Sequence, residues 1–162
     1  MARSATRRIR PAGPADLDAI VAIETAAFEP PRRSTRRALR RALESSFQRT
    51  LVLEAPDAEG LCRIAGYVVI WPFPRTWRIY NLAADPSWGP QGFGSALLAA
   101  AVEEASRAGA RRLVLEARPE PRLLRFYEQR GLRRVRELPD YYAPGEPALR
   151  LEMRLPKRGA AD

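Results

Sequence analysis

The period of the hydrophobic positions changes several times along this chain, and each change marks an element. Behind Pro14 and Asp16, which suit a helix start, Leu17, Ile20, Val21, Ala27 and Phe28 share one helical face. Glu24 lies on that stripe. A carboxylate there needs a partner, unless it sits at the stripe's edge and reaches solvent. Pro30-Pro31 breaks the chain, and Ser34 is placed to cap a second helix running to about Ser46, with Leu39, Leu43 and Phe47 as its seam. Short apolar runs predict strands at Arg8–Arg10, Thr50–Ala55, Cys62–Trp71 with Gly66 inside it, and Trp77–Ala84. Ser95–Arg107 returns to helical spacing, with Leu97, Leu98, Ala101, Val102 and Ala105 inward and Gly109 as its stop. Leu113–Ala117 reads as a buried strand and Pro121–Arg130 as a helix ending at Gly131. Leu132–Leu138 and Ala148–Leu155 close the chain as a strand pair around Tyr141-Tyr142-Ala143-Pro144-Gly145.

The order β-α-α-β-β-β-α-β-α-β-β predicts an α/β (α+β) fold: one mixed central sheet of six to seven strands with helices on both faces. At 162 residues, without an internal repeat or long linker, one domain over 1–162 is expected, with a core of about 8–156. Met1–Arg7 and Lys157–Asp162 read as frayed tails.

Composition narrows the chemistry. The net charge is +9, and every cation except Lys157 is arginine. Arginine forks suit phosphate and carboxylate, so anionic partners are expected; an arginine-rich solvated face is the plainer account. Histidine is absent, which removes the commonest general base, the Ser-His-Asp and Cys-His arrangements and histidine-metal sites. With one cysteine besides, no metal is expected. Cys62 has no histidine to activate it and is expected to be a buried, inert thiol. A lone cysteine fits a reducing compartment, MARSATRRIRPAG lacks an apolar leader core, and no run approaches the ~18 apolar residues of a membrane span. A cytoplasmic protein without a membrane partner is expected, as a monomer or homodimer.

The stretch Asn81-Leu82-Ala83-Ala84-Asp85-Pro86-Ser87-Trp88-Gly89-Pro90-Gln91-Gly92-Phe93-Gly94-Ser95 joins a strand to a helix through a glycine-rich turn. Its glycines let the backbone approach a ligand, and the N–H groups near Phe93, Gly94 and Ser95 are orphan donors of the helix start, suited to a phosphate. A purely structural turn is the alternative. Two nucleotide motifs fail: no Gly-Lys-Ser/Thr is present, and Leu97 stands where a dinucleotide fingerprint needs its third glycine.

This context resembles the GNAT superfamily of acetyl-CoA-dependent N-acetyltransferases, whose phosphate motif has the form Gln/Arg-x-x-Gly-x-Gly/Ala after a strand. The likeness runs from about Ile9 to Leu155. Ile9-Arg10-Pro11-Ala12, Pro14-Ala15-Asp16-Leu17, Ala22-Ile23-Glu24, Ala26-Ala27-Phe28, Asn81-Leu82-Ala83, Leu115-Glu116, Phe126-Tyr127-Glu128, Gly131-Leu132 and Tyr141-Tyr142 look closest to the ribosomal-protein alanine N-acetyltransferase-like branch. Gly89 stands where the motif has Arg or Gln and Pro90 where a second Arg is common. The loop Arg118-Pro119-Glu120-Pro121 lacks the family's pantetheine-facing Asn.

The resemblance implies acetyl-CoA as cosubstrate, held by Asn81, Leu82, Ala83 and Ala84 and by the turn Gly89, Pro90, Gln91, Gly92, Phe93, Gly94 and Ser95. It implies an oxyanion donor at a backbone N–H near Leu82. Glu116 is the expected base: it ends an apolar strand, where desolvation raises a carboxyl pKa, and the matching Glu serves as base in that branch. A glutamate merely leaving a strand is the alternative. Tyr127 matches the family's acid for the departing thiolate, unless it is a core aromatic with its hydroxyl tied to backbone. Tyr141 and Tyr142 lie in the hairpin that overhangs the acceptor in the family, or in a simple exposed loop. Glu24 and Phe28 complete the expected acceptor side, with Glu24 facing an incoming ammonium. The Arg-rich helix borders the acceptor cleft in the family's layout; it attracts acidic peptides or is only a solvated face.

The expected acceptor is a protein N-terminal α-amine or, second, a small amine. An α-amine titrates near 8 and a lysine near 10.4, so the former loses its proton more easily by roughly 3 kcal/mol. The rivals are a basic RNA- or ribosome-binding module, disfavoured because aromatics do not interleave the Arg runs, and a GNAT fold that binds coenzyme A without catalysis.

Overall fold

Buried strands and amphipathic helices form where the pattern places them. The computed structural model describes residues 6–157; the rest of the two expected tails lies outside the described residues. The chain forms β1 (Arg8–Pro11), α1 (Leu17–Ala27), α2 (Arg36–Glu44), β2 (Arg49–Pro56), β3 (Cys62–Pro72), β4 (Thr76–Ala84), α3 (Phe93–Arg107), β5 (Arg112–Ala117), α4 (Pro121–Glu128), β6 (Arg133–Ala143) and β7 (Glu146–Arg154). The strands hydrogen-bond in the order β1-β2-β3-β4-β5-β7-β6, a mixed seven-stranded sheet. None of the helices among the described residues is long and apolar enough to cross a membrane.

Two compact units divide the contacts. One comprises the chain through Trp71 together with Asn81–Ala101; the other comprises Pro72–Tyr80 and the chain from Val102 onward. In the first, β1 pairs antiparallel with β2, and β2 with β3. β2 and β3 read as near-continuous apolar runs because most of their residues, Leu51 to Leu53 and Ala65 to Ile70, are buried. α1 lays Leu17, Ile20 and Ile23 on this core beside Leu39 and Ala42 of α2, with Phe28 packed at its margin. Each such fully buried aliphatic side chain contributes about 1.5–3 kcal/mol of transfer free energy. Gly66 is required by close approach: a Cβ there would meet Leu97 Cδ1 at 2.8 Å and the Ala83 carbonyl oxygen at 3.0 Å.

The start of α1 is pinned electrostatically. Arg10 reaches Asp16 at 2.9 Å and Glu54 at 2.7 Å, and Asp16 also takes the Gly13 N–H at 2.8 Å. Hydrogen bonding from Arg10 holds the Asp16 carboxyl below its ordinary range.

In the second unit β4 and β5 run parallel over three pairs, from Thr76↔Arg112 to Arg78↔Val114. β5 then pairs antiparallel with β7 through Ala117↔Leu149, and β7 with β6. β5 alternates: Leu113, Leu115 and Ala117 are buried, while Val114 and Glu116 face the other side. β6 is exposed almost throughout and carries Arg133, Arg134 and Arg136, a charged edge that discourages pairing with another chain.

Three expectations change. The cap of α2 is Thr35, whose side chain accepts the Ala38 N–H at 3.1 Å; Ser34 lies one residue outside and is used elsewhere. β6 extends to Ala143, so Tyr141 and Tyr142 lie within a strand, where the register shifts between Leu138 and Ala143. Cys62, expected buried, is exposed, because it opens β3 ahead of that strand's buried run.

Candidate active site

Glu24 on α1 does not reach solvent: it is 2% exposed. Its Oε1 accepts the Ser34 N–H at 2.6 Å. Its Oε2 accepts from the Tyr67 hydroxyl and, at 3.1 Å, from Asn81 Nδ2. Asn81 Nδ2 also lies 2.8 Å from the Tyr67 oxygen and 3.2 Å from Ser34 Oγ. Helical spacing turns Glu24 inward with Ile20, and these polar groups offset the cost of taking the carboxylate out of water. Glu24 is therefore turned to Ser34, Tyr67 and Asn81 rather than to solvent. Tyr67 was not singled out in the sequence, and Ser34 only as a helix cap. A lone Tyr in the apolar run of β3 and a Ser after a double proline carry no motif.

Ahead of α3, Gly89 and Gly92 adopt φ of 69° and 75°, which only glycine takes cheaply, and a Cβ on either would meet nothing within 4 Å. The first bond of the helix joins the Ala96 N–H to the Gly92 carbonyl at 3.0 Å. The N–H groups of Phe93 and Gly94 precede it and have no acceptor one turn back. Arg7 lies over this turn, with Nη2 3.2 Å from Gln91 Oε1 and its guanidinium 4.8 Å from the centre of the Phe93 ring. Open space, backbone donors and a cation together fit a phosphate. Nothing in the sequence joins Arg7 to residues so far along the chain.

In the second unit Glu116 leaves β5 with its side chain 4% exposed. The desolvated, lone carboxylate expected there is instead held by two guanidiniums. Arg78 places Nε and Nη2 at 2.9 and 2.8 Å from Oε2. Arg150, opposite Glu116 on β7, places Nε and Nη2 at 3.1 and 2.9 Å from Oε1. Three N–H donors and a fourth guanidinium nitrogen at ion-pair distance thus surround one carboxylate. Arg78 also donates to the Tyr141 hydroxyl at 2.7 Å, which brings Tyr141 into the cluster. Tyr142 stacks edge-on against Tyr141 at 4.9 Å and lies under the Arg118 guanidinium at 4.0 Å. A cavity of about 240 Å³ opens against this cluster, lined by Phe73, Thr76, Arg78, Val114, Glu116 and Arg150 among others.

Tyr127 on α4 is 7% exposed, and Phe126 meets it edge-on at 5.1 Å. Among the described residues its hydroxyl makes no hydrogen bond, so it is not the backbone-tied aromatic of the alternative reading. Burial, and secondarily the nearby Tyr142, pushes its phenol up to about 12. It therefore stays protonated across the physiological range. The described residues hold no group of His, Cys, Asp and Glu arranged to bind a metal.

The family model for the GNAT acetyltransferases matches residues 17–132, and the chain belongs to that family. It is accordingly an acyltransferase. No curated protein matches it. Among solved structures, the ribosomal-protein-S18-alanine N-acetyltransferase of Escherichia coli is similar at TM-score 0.81 and 20% identity, over 97% of this chain and 100% of that one. Ard1 of Thermoplasma volcanium gives 0.75 at 24% identity, over 93% and 99%. NAA60 of Arabidopsis thaliana, in complex with a bisubstrate analogue, gives 0.77 at 17%, over 92% and 98%. At these identities the likeness is one of fold.

Proposed function

We propose that this protein transfers acetyl from acetyl-CoA to a primary amine, with a protein N-terminal α-amine as the favoured acceptor. The branch that contains the ribosomal-protein alanine N-acetyltransferases is the nearest functional model. Acetyl-CoA supplies an activated acetyl thioester, and the amine attacks it directly within a ternary complex. The backbone of Gly89 to Ser95 would hold the pyrophosphate, and Arg7 offers a cation where Gly89 and Pro90 lack one. Asn81 to Ala84 would line the arm, with a backbone N–H near Leu82 as oxyanion donor.

Glu116 takes the amine's proton. Because both its oxygens are engaged by guanidiniums, one of these must turn aside first, and Arg150, at 37% side-chain exposure against 25% for Arg78, is the freer of the two. Tyr127 gives its proton to the departing thiolate. The observation that carries this reading is Tyr127: a buried residue on α4 whose phenol is held protonated. A neutral buried phenol is what a thiolate leaving group needs nearby. The single cysteine supports a cytoplasmic setting.

Calorimetric titration with acetyl-CoA, against ATP and NAD, tests the cosubstrate. Release of free thiol on adding a peptide with an unblocked N-terminus tests the reaction. Saturable binding of acetyl-CoA alone, followed by peptide-dependent thiol release, is expected. Absence of both would sink the reading.

A further inference from the structure

Beside the cavity under Glu116 lies a second one, of about 420 Å³, lined by Arg75, Arg111, Arg112, Arg154, Lys157 and Glu152. Arg112 and Glu152 line both cavities. Five cations meet one carboxylate there. Glu152 approaches Arg112 only to 3.8 Å. Among the described residues, the side chains of Arg75, Arg111, Arg154 and Lys157 make no ion pair or hydrogen bond.

The backbone fixes this crowding. The N–H groups of Arg111 and Arg112 both bond the Arg75 carbonyl, at 2.8 and 3.2 Å, and the Leu155 N–H bonds the Arg111 carbonyl at 2.8 Å. Arg112 and Arg154 are direct cross-strand partners. Like charges placed opposite each other destabilise a sheet. A concave site that concentrates unneutralised arginines at such a cost is suited to an anion supplied from outside.

The register says what shape that anion has. Along β5 and β7 the same sheet face presents Glu116 with Arg150, then Val114 with Glu152, then Arg112 with Arg154. At about 3.3 Å per residue, Glu116 and Arg112 are roughly 13 Å apart along the strand. An extended acceptor has nearly the same rise, so its fourth or fifth residue would reach the basic cavity when its N-terminus meets Glu116.

We propose that this cavity reads acidic side chains of the acceptor, so that the preferred substrate is a peptide N-terminus followed by Asp or Glu at about the fourth and fifth positions. This rests on the acetyl-transfer reading for the position of the amine. A carboxylate-bearing peptide is favoured over nucleic acid because the cavity is continuous with the Glu116 cluster and has no aromatic lining for bases.

The test uses two peptides with the same first three residues, one with Glu and one with Gln at positions four and five, each carrying a C-terminal dye. Thiol release gives kcat/KM, and fluorescence anisotropy gives binding whether or not turnover occurs. The acidic peptide is expected to lead by about tenfold, through KM, with the lead shrinking as salt rises. Arg154→Gln and Arg111→Gln are expected to bring the acidic-to-neutral ratio towards one in both readouts. Equal binding of the two peptides, or a preference untouched by either variant, would overturn the proposal. So would tight binding of an RNA oligomer that Arg154→Gln abolishes while the peptides remain equal. Charge-selective binding without acetylation of any amine would instead keep the cavity's role and remove the catalytic reading.

Discussion

Glu24 and Glu116 are both carboxylates taken out of water, yet their partners differ in kind. Glu24 is held by neutral donors: one backbone N–H, one phenol and one amide. Glu116 is held by two guanidiniums that are themselves partly exposed. A carboxylate held by neutral donors cannot leave without removing an acceptor from each of them, so that arrangement keeps a shape. A charge held by mobile opposite charges can exchange partners, because the guanidiniums can turn to water or to an incoming anion. The first carboxylate fits a positioning role and the second a chemical one.

The largest expected effect falls on turnover. Glu116→Gln and Tyr127→Phe should each lower kcat by about 10²–10⁴, the usual weight of a positioned proton donor or acceptor. Tyr127→Phe should keep a melting temperature close to the parent's, whereas Glu116→Gln also loses its pairing with Arg78 and Arg150 and should melt lower. Their pH profiles should separate them. With its phenol raised from 10.0 to about 12, Tyr127 holds its proton beyond pH 10, so the parent's rate should climb as the amine deprotonates and show no alkaline fall before that. A large kcat loss in Glu24→Gln with none in Glu116→Gln would break the contrast between the two carboxylates.

Next comes stability. Glu24→Ala removes the acceptor of the Ser34 N–H and of the Tyr67 hydroxyl proton, while the Asn81 amide keeps Tyr67 and Ser34 as acceptors. At ~1–3 kcal/mol for an unsatisfied buried group, and without simple additivity, the loss should be about 2–4 kcal/mol in urea unfolding. Glu24→Gln keeps one acceptor oxygen and should recover part of it. Arg150→Gln should cost under ~1 kcal/mol, since that guanidinium is more than a third exposed, and the cost should vanish at high salt.

The two regions also differed in how far the sequence exposed them. The order of elements was legible because each hydrophobic run has a period of its own. Glu116 and Tyr127 were legible as residues through the family's motif. Their surroundings were not. Arg78 and Arg150 reach Glu116 through sheet register, and no local pattern distinguishes them from the other arginines of an arginine-rich chain. Glu24 announced its need for a partner by lying on an apolar stripe, but Tyr67, Ser34 and Asn81 come from three other segments. The exposed Cys62 shows the limit of reasoning from residue type: free cysteine is commonly buried, but here it occupies the first position of a strand.

The smallest expected effect sharpens what kind of hub surrounds Glu24. Ser34 and Thr35 are neighbours that both carry a hydroxyl. Thr35 caps α2 through its hydroxyl, so Thr35→Ala should cost ~1 kcal/mol. Ser34 serves Glu24 chiefly through its backbone N–H at 2.6 Å, which alanine retains. Among the described residues its hydroxyl meets only Asn81, at 3.2 Å, and that amide has Glu24 and Tyr67 as further acceptors. Ser34→Ala should therefore cost less than about 0.5 kcal/mol, the range of a substitution that breaks no required bond. The pair of alanine variants, compared in urea, should show the larger loss at Thr35. The reverse order would mean that the Glu24 hub depends on the Ser34 hydroxyl, and that its shape is kept by an exchangeable side chain rather than by the backbone.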